Sequence, residues 1–247
     1  MPRYKAIVEY FGPDYSGFQI QPNAHTVAAA LQKALNEFSR ETIKICCAGR
    51  TDAGVHSKGQ VIHFDLPKQY SSHKITEGVN FYLREANEAT SLVKTTKVAD
   101  DFNSRYAAIE KTYEYLILNR NTDSPLLRKR VWHVRRKLDL EKMKQAAQYL
   151  IGPHDFTSFR SVDCQADNPL RTLDKIKIYK SDGLIKISVI SRAFLYNQVR
   201  IMVGTLVEIG EGRYEPEKIH DIFAAKDRTK AGQTAPADGL YLVTIKY

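Results

Sequence analysis

Cysteine is scarce in this chain of 247 residues: there are three, Cys46, Cys47 and Cys164. Their number and spacing fit neither a disulfide framework nor a cysteine metal site. Cys46 and Cys47 are adjacent on a predicted strand and so point to opposite faces, where their expected role is packing. His56 and His63 have no metal-ligand spacing to a nearby Cys or Glu, and no metal is expected. Long apolar runs are missing too; none approaches the ~20 residues of a membrane span. The opening Met1-Pro2-Arg3-Tyr4-Lys5-Ala6 has no apolar signal-peptide core. Together these absences argue against a membrane protein and set a reducing cytoplasm as the expected compartment. The chain also lacks low-complexity segments and any residue-level repeat.

What is present is an ordinary globular composition, 43% hydrophobic and 26% charged, on a chain long enough for one large domain or two small ones. The charge balance is uneven. Lys and Arg total 37 against 28 Asp and Glu, a formal net charge of +9. That excess favours a polyanionic partner without distinguishing RNA from DNA or from an acidic membrane surface.

Period-2 alternation predicts a first strand over 3–11, followed by turn chemistry at Gly12-Pro13-Asp14-Tyr15-Ser16-Gly17. Val27, Leu31, Ala34, Leu35 and Phe38 fall at helical spacing over 27–38, with Thr26 placed to cap. Strands are predicted at 42–48, 60–65 and 90–99, with a short helix near 72–80. A second half opens on the alternating Lys111–Leu118, with a polar connection over 119–130. Asp139 caps a helix using Leu140, Met143, Ala147 and Leu150, which stops at Gly152-Pro153. Strands near 172–180 and 183–191 turn at Asp182-Gly183. Helices follow at 197–209 and 216–225, and a last strand at 239–246. The expected division is 1–106 and 107–247, each half mixing strands and helices in an α+β class.

The most informative stretch is Ala48-Gly49-Arg50-Thr51-Asp52-Ala53-Gly54-Val55-His56. It sets a carboxylate in a glycine-flanked turn at the mouth of a predicted strand, two positions after an arginine. A carboxylate so placed can be held ionised as a nucleophile. It can equally cap a turn by accepting backbone N–H groups. Elsewhere, Tyr113 and Tyr115 share one strand face, where they can stack on an unpaired base or simply pack. Arg200 lies at the edge of the apolar stripe Val199, Val203, Leu206 and Val207, as a paired cation or a snorkelling one. The densest basic run is Arg128-Lys129-Arg130-Val131-Trp132-His133-Val134-Arg135-Arg136-Lys137, which suits RNA phosphates or a plain solvated face.

The segment Gly49–His56 resembles, at every one of its eight residues, the active-site motif of the tRNA pseudouridine synthase A family, the tRNA pseudouridine(38–40) synthases. Gly59-Gln60-Val61 and His63-Phe64 look like the same family. So do Tyr10-Phe11-Gly12 with Tyr15-Ser16-Gly17-Phe18, Arg105-Tyr106-Ala107-Ala108 with Lys111-Thr112-Tyr113-Glu114-Tyr115, and Gly152–Phe159 with Pro169 and Arg171-Thr172. Phe194-Leu195, Val199-Arg200, Val203–Leu206, Ala231–Ala237 and Gly239–Leu242 complete the likeness. The chain departs from the pattern at Tyr196-Asn197-Gln198, at Ile201 (commonly Asn), and at Asn80–Ala86, which lacks the usual Leu-Pro.

The resemblance implies a pseudouridine synthase fold, with two α/β halves sharing a mixed, mainly antiparallel sheet and a central active-site cleft. It implies conversion of uridine to pseudouridine at positions 38–40 in the anticodon arm of tRNA, with nucleotide flipping, no cofactor and a homodimer. Asp52 would be the nucleophile, attacking either ribose C1′ or the uracil ring. Tyr113 would stack on the base, Arg200 would pair with the Asp52 carboxylate, and Arg50 would help displace the target nucleotide. Two other readings use the same residues. One is an RNA glycosylase or nucleoside hydrolase with water as acceptor; the other is a non-catalytic RNA-binding module.

Overall fold

Tyr4, Ala6, Val8 and Tyr10 alternate with more exposed neighbours, and this alternation makes β1 (Arg3–Tyr10) a strand with one face in the core. The computed structural model describes residues 1–247. It is mixed α+β, mainly antiparallel in its strand pairing, with five α-helices. By internal contacts the chain forms two compact units, Met1–Ile109 with Tyr241–Tyr247, and Glu110–Leu240.

In the first unit β1 pairs antiparallel with β3 (His56–Asp65) and β4 (Thr90–Lys97), the latter after a register shift at Ile7/Val8. The short β2 (Ile45–Cys47) lies antiparallel on β3. The last strand, β11 (Leu240–Lys246), returns to run parallel with β3, setting Tyr241 opposite His56. By internal contacts Tyr241–Tyr247 groups with the first unit. Helices α1 (Val27–Ser39) and α2 (Ser72–Glu85) pack together, and α2 lies on β4. Thr26 caps α1 by accepting from Ala29 N at 3.3 Å. Leu31 and Leu35 of α1 and Ile75, Val79 and Leu83 of α2 join the β1 face in one cluster. Each such buried side chain contributes about 1.5–3 kcal/mol.

In the second unit β5 (Glu110–Asn119), β10 (Leu184–Ser191) and β9 (Lys175–Ser181) form an antiparallel run. Asp182 and Gly183, at φ +56° and +75°, make the β9–β10 turn. A strand that sequence did not predict, β6 (Trp132–Val134), lies parallel to β5 inside the basic run. A second such strand, β7 (Gly152–Asp155), pairs with β8 (Leu170–Leu173). The single strand predicted over 172–180 is therefore two, belonging to different sheets. Asp174 separates them, its N–H donating to Ile190 O at 2.9 Å. Helix α3 (Leu140–Gln148) starts at Asp139, whose Oδ1 accepts from Glu141 N and Lys142 N. It packs on β9 and on α4 (Gln198–Gly210); α5 (Lys218–Ala225) follows.

The packing expectation holds for Cys47, which is partly buried against the core, and is corrected for Cys46, which is exposed because β2 is a three-residue piece that leaves one face open. No helix is long and apolar enough to cross a membrane.

Candidate active site

Asp52 sits in an irregular loop between β2 and β3, half-buried, and its shape is set by neighbours that the loop itself does not contain. Upstream, Gln60 Nε2 donates to Gly49 O at 2.7 Å, and Ala48 N to Val61 O at 2.9 Å. At the centre, the buried Tyr10 hydroxyl is 2.7 Å from Thr51 Oγ1, and Phe18 N donates to Thr51 O at 3.1 Å. Downstream, Val55 N closes the turn on Asp52 O at 3.2 Å. Burial pushes the Tyr10 phenol well above its usual pKa, so it stays a neutral hydrogen-bonding group. Gly12 backs the loop: a Cβ there would overlap the Val55 carbonyl, so only glycine allows the approach.

His56 is buried behind the loop. Its ring stacks on Tyr241 at 4.4 Å with a 10° interplanar angle, and Phe11 packs at 5.1 Å. Its Nδ1 accepts from Gly12 N at 3.4 Å. The end of the motif is thus a buttress that ties the loop to β11 and to the 11–18 turn. Arg50, two residues before Asp52, is exposed. No group of three or more His, Cys, Asp or Glu side chains is arranged to hold a metal ion.

Tyr113 and Arg200 both lie in the second unit. Tyr113 is half-buried on β5, opposite Val189 of β10, with the Phe194 ring edge-on at 5.2 Å. Tyr115, two residues on, is fully buried and is a packing residue whose hydroxyl donates to Pro236 O at 2.6 Å. Arg200 is half-buried in the first turn of α4. Its Nε donates to Ala235 O at 2.8 Å and its Nη1 to Asn197 Oδ1 at 2.9 Å, while Ala235 N donates to Arg200 O at 3.1 Å. Adjacent carbonyls of one loop, 235 and 236, therefore hold Arg200 and Tyr115. Burial raises the Tyr115 phenol pKa well above normal; the Arg200 charge pulls the other way and Asp238 adds to the rise.

That loop is itself clamped by a residue to which sequence assigned nothing. Arg228 Nη1 donates to Gly232 O at 3.0 Å and Nη2 to Thr234 Oγ1 at 3.0 Å. Gly232 N donates to Thr205 Oγ1 at 2.9 Å and Gln233 N to Glu208 Oε1 at 3.1 Å, fixing the loop against α4. The contact is so close that a Cβ on Gly204 would overlap the Gln233 carbonyl oxygen. Gly204→Ala is expected to cost about 1–3 kcal/mol through this overlap, read as a lower thermal midpoint of several degrees. An unchanged midpoint would mean that the loop moves aside freely and does not fix Arg200.

The structure thus sets Asp52 and Arg50 in one unit on a braced loop, and Tyr113 and Arg200 in the other. A family model described as tRNA pseudouridine synthase matches residues 6–106 and 146–247. The chain belongs to the tRNA pseudouridine synthase family. It is 42% identical to the tRNA pseudouridine synthase A of Rhizobium meliloti (strain 1021), over the whole of both chains. The proteins of that name from Sinorhizobium fredii and Brucella ovis are 41% and 42% identical over all of this chain, covering 100% and 98% of their own lengths. Among solved structures, a chain of the Cbf5–Nop10–Gar1 complex aligns over 83% of this chain and 45% of its own, at 15% identity and a TM-score of 0.35, too distant to bear on the site. As a pseudouridine synthase family member the protein is an isomerase acting on tRNA.

Proposed function

We propose that the protein converts uridine to pseudouridine at positions 38–40 in the anticodon arm of tRNA, using Asp52 as nucleophile and no cofactor. The observation that carries this reading is the complete Gly49–His56 segment, held by Tyr10, Gly12 and Gln60 so that Asp52 occupies a fixed turn. A rigid support is what a nucleophile needs, since rate depends on holding the reacting atom in place. The target base is stacked in the RNA, so it must be flipped out before its glycosidic bond is reachable. Arg50, exposed and planar, is suited to take the place of the displaced nucleotide or to grip its phosphate. Asp52 attacks ribose C1′ or the uracil ring, and the N1–C1′ bond breaks. The detached uracil turns and C5 bonds to C1′; the bond to Asp52 breaks to restore the carboxylate, C5 loses its proton and N1 gains one. The homodimer and the division of labour between residues 1–106 and 107–247 rest on the family resemblance, and the cytoplasmic location on the sparse cysteines and the lack of long apolar runs.

Release of free uracil from tRNA without pseudouridine would replace this reading with a glycosylase. Retention of the base, now bonded through C5, supports the isomerase.

Tyr113 separates stacking from proton transfer. A stacking platform contributes about 1–3 kcal/mol per base and needs only the ring, whereas proton transfer needs the hydroxyl. Tyr113→Phe is expected to bind tRNA as the wild type does and to lose tritium release from C5-labelled uridine in a single-turnover assay. Wild-type tritium release would reduce Tyr113 to a platform. Wild-type rate and affinity in Tyr113→Ala would make it a sheet-packing residue only.

A further inference from the structure

Residues 124–138 contain six cations and no acidic side chain: Arg128, Lys129, Arg130, Arg135, Arg136 and Lys137. They supply +6 of the chain's formal net charge of +9, so the other 232 residues together carry a net +3. All six are exposed. Of the acids that flank the stretch, Asp139 caps α3, and Asp123 accepts from Ser124 N at 2.7 Å and lies 3.8 Å from His133, both within the stretch. Arg136 is 3.9 Å from Glu211, a carboxylate that Arg213 already holds at 3.0 Å. The stretch falls between the two parts of the chain that the family model matches.

The backbone beneath these charges is ordered. β6 pairs with β5 through Ile117, Leu118 and Asn119. The Asn119 side-chain amide donates to Val134 O at 2.8 Å and Arg136 O at 2.7 Å, and its Oδ1 accepts from Leu138 N at 3.2 Å. Trp132 packs edge-on to Tyr115 at 6.2 Å. The cations therefore project from a fixed ribbon, which lowers the ordering cost of using them together. Charges on a short edge strand also serve to block strand addition, but Lys is the usual choice there. Four of these six are Arg, whose planar two-donor fork grips phosphate.

We propose that the 128–137 ribbon is an RNA-binding surface that holds the phosphate backbone of the tRNA substrate. It rests on the reading of tRNA as substrate and assigns to the ribbon affinity, with no part in the chemistry. Because each phosphate contact releases condensed counterions, such a surface must show in the salt dependence of binding.

The test compares wild type with the quadruple variant Arg128→Ala, Lys129→Ala, Arg135→Ala and Lys137→Ala. A control removes equal charge elsewhere, by Lys33→Ala, Lys68→Ala, Lys175→Ala and Lys177→Ala, all at exposed positions. Affinity for an unmodified tRNA transcript is measured from about 0.05 to 0.3 M salt. Matched thermal midpoints and sedimentation profiles without RNA establish that the variants are folded. The ribbon variant is expected to bind at least about tenfold more weakly near 0.1 M salt, with the log–log salt slope shallower by about two or more; the control is expected to stay within threefold. Equal losses in both variants would show a net-charge effect and overturn the proposal. So would an unchanged slope in the ribbon variant, with or without altered self-association, or ribbon-dependent binding to phosphatidylserine vesicles but not to tRNA. A wild-type protein that forms no pseudouridine in tRNA, yet shows the ribbon-dependent slope, would remove the proposed function and leave this surface in place.

Discussion

Asp52→Asn is expected to abolish pseudouridine formation, by more than about ten-thousandfold, the scale on which enzymes lose rate when a nucleophile is removed. The substitution keeps nearly the same shape and leaves the loop's supports, which run to Gly49 O, Thr51 and Val55 N, untouched. Affinity for tRNA should stay within about tenfold, since one modest contact is about 1.4 kcal/mol. The measurement is a single-turnover assay on unmodified tRNA beside a binding titration. Loss of binding in step with loss of rate would make Asp52 a folding or docking residue. Turnover at the wild-type rate would end its assignment as nucleophile.

Arg200 carries the second large effect. If its guanidinium orients the Asp52 carboxylate, Arg200→Ala should slow the chemical step by the worth of a hydrogen bond to a charged group, about 1.5–3 kcal/mol for half-buried side chains, or about one to two orders of magnitude in rate at about 1.4 kcal/mol per decade. Arg200→Lys should also be poor. The Arg200 fork divides its bonds between Ala235 O and Asn197 Oδ1, and a lysine ammonium cannot reproduce that geometry. Near-normal single-turnover rates in Arg200→Ala, with an unchanged thermal midpoint, would put the residue outside the chemistry. A normal rate in Arg200→Lys would show that charge suffices and the fork does not matter.

The regular elements were legible where a local pattern sets them. Alternation marked β1, β5 and β10, and Thr26 and Asp139 cap their helices as their positions suggest. β6 and β7 were not legible because their strand character comes from partners. β6 hides in a charge run and gains its backbone bonds from β5, and β7 contains Pro153 and pairs with residues 170–173. Asp174 broke a seemingly continuous strand for the same reason, by bonding to Ile190.

The candidate site divides similarly. The Asp52 motif is contiguous, so the sequence displays it whole. Its supports come from 41 residues upstream, in the Tyr10 hydroxyl, and from β11 at the far end of the chain. The Arg228 clamp and the Gly204 contact were invisible for the same reason: the first is an ordinary surface cation in sequence, and the second is a glycine inside a helix pattern. Only the approach of the 231–236 loop to α4 gives either a purpose.

The central claim is a position-specific isomerisation that depends on one carboxylate. It is tested most directly by incubating the purified protein with unmodified tRNA transcripts that bear uridines at 38, 39 or 40, and mapping pseudouridine at single-nucleotide resolution. The account predicts pseudouridine at those positions, none elsewhere in the transcripts, and none anywhere with Asp52→Asn. Pseudouridine confined to another arm, or formed equally well by Asp52→Asn, would contradict it.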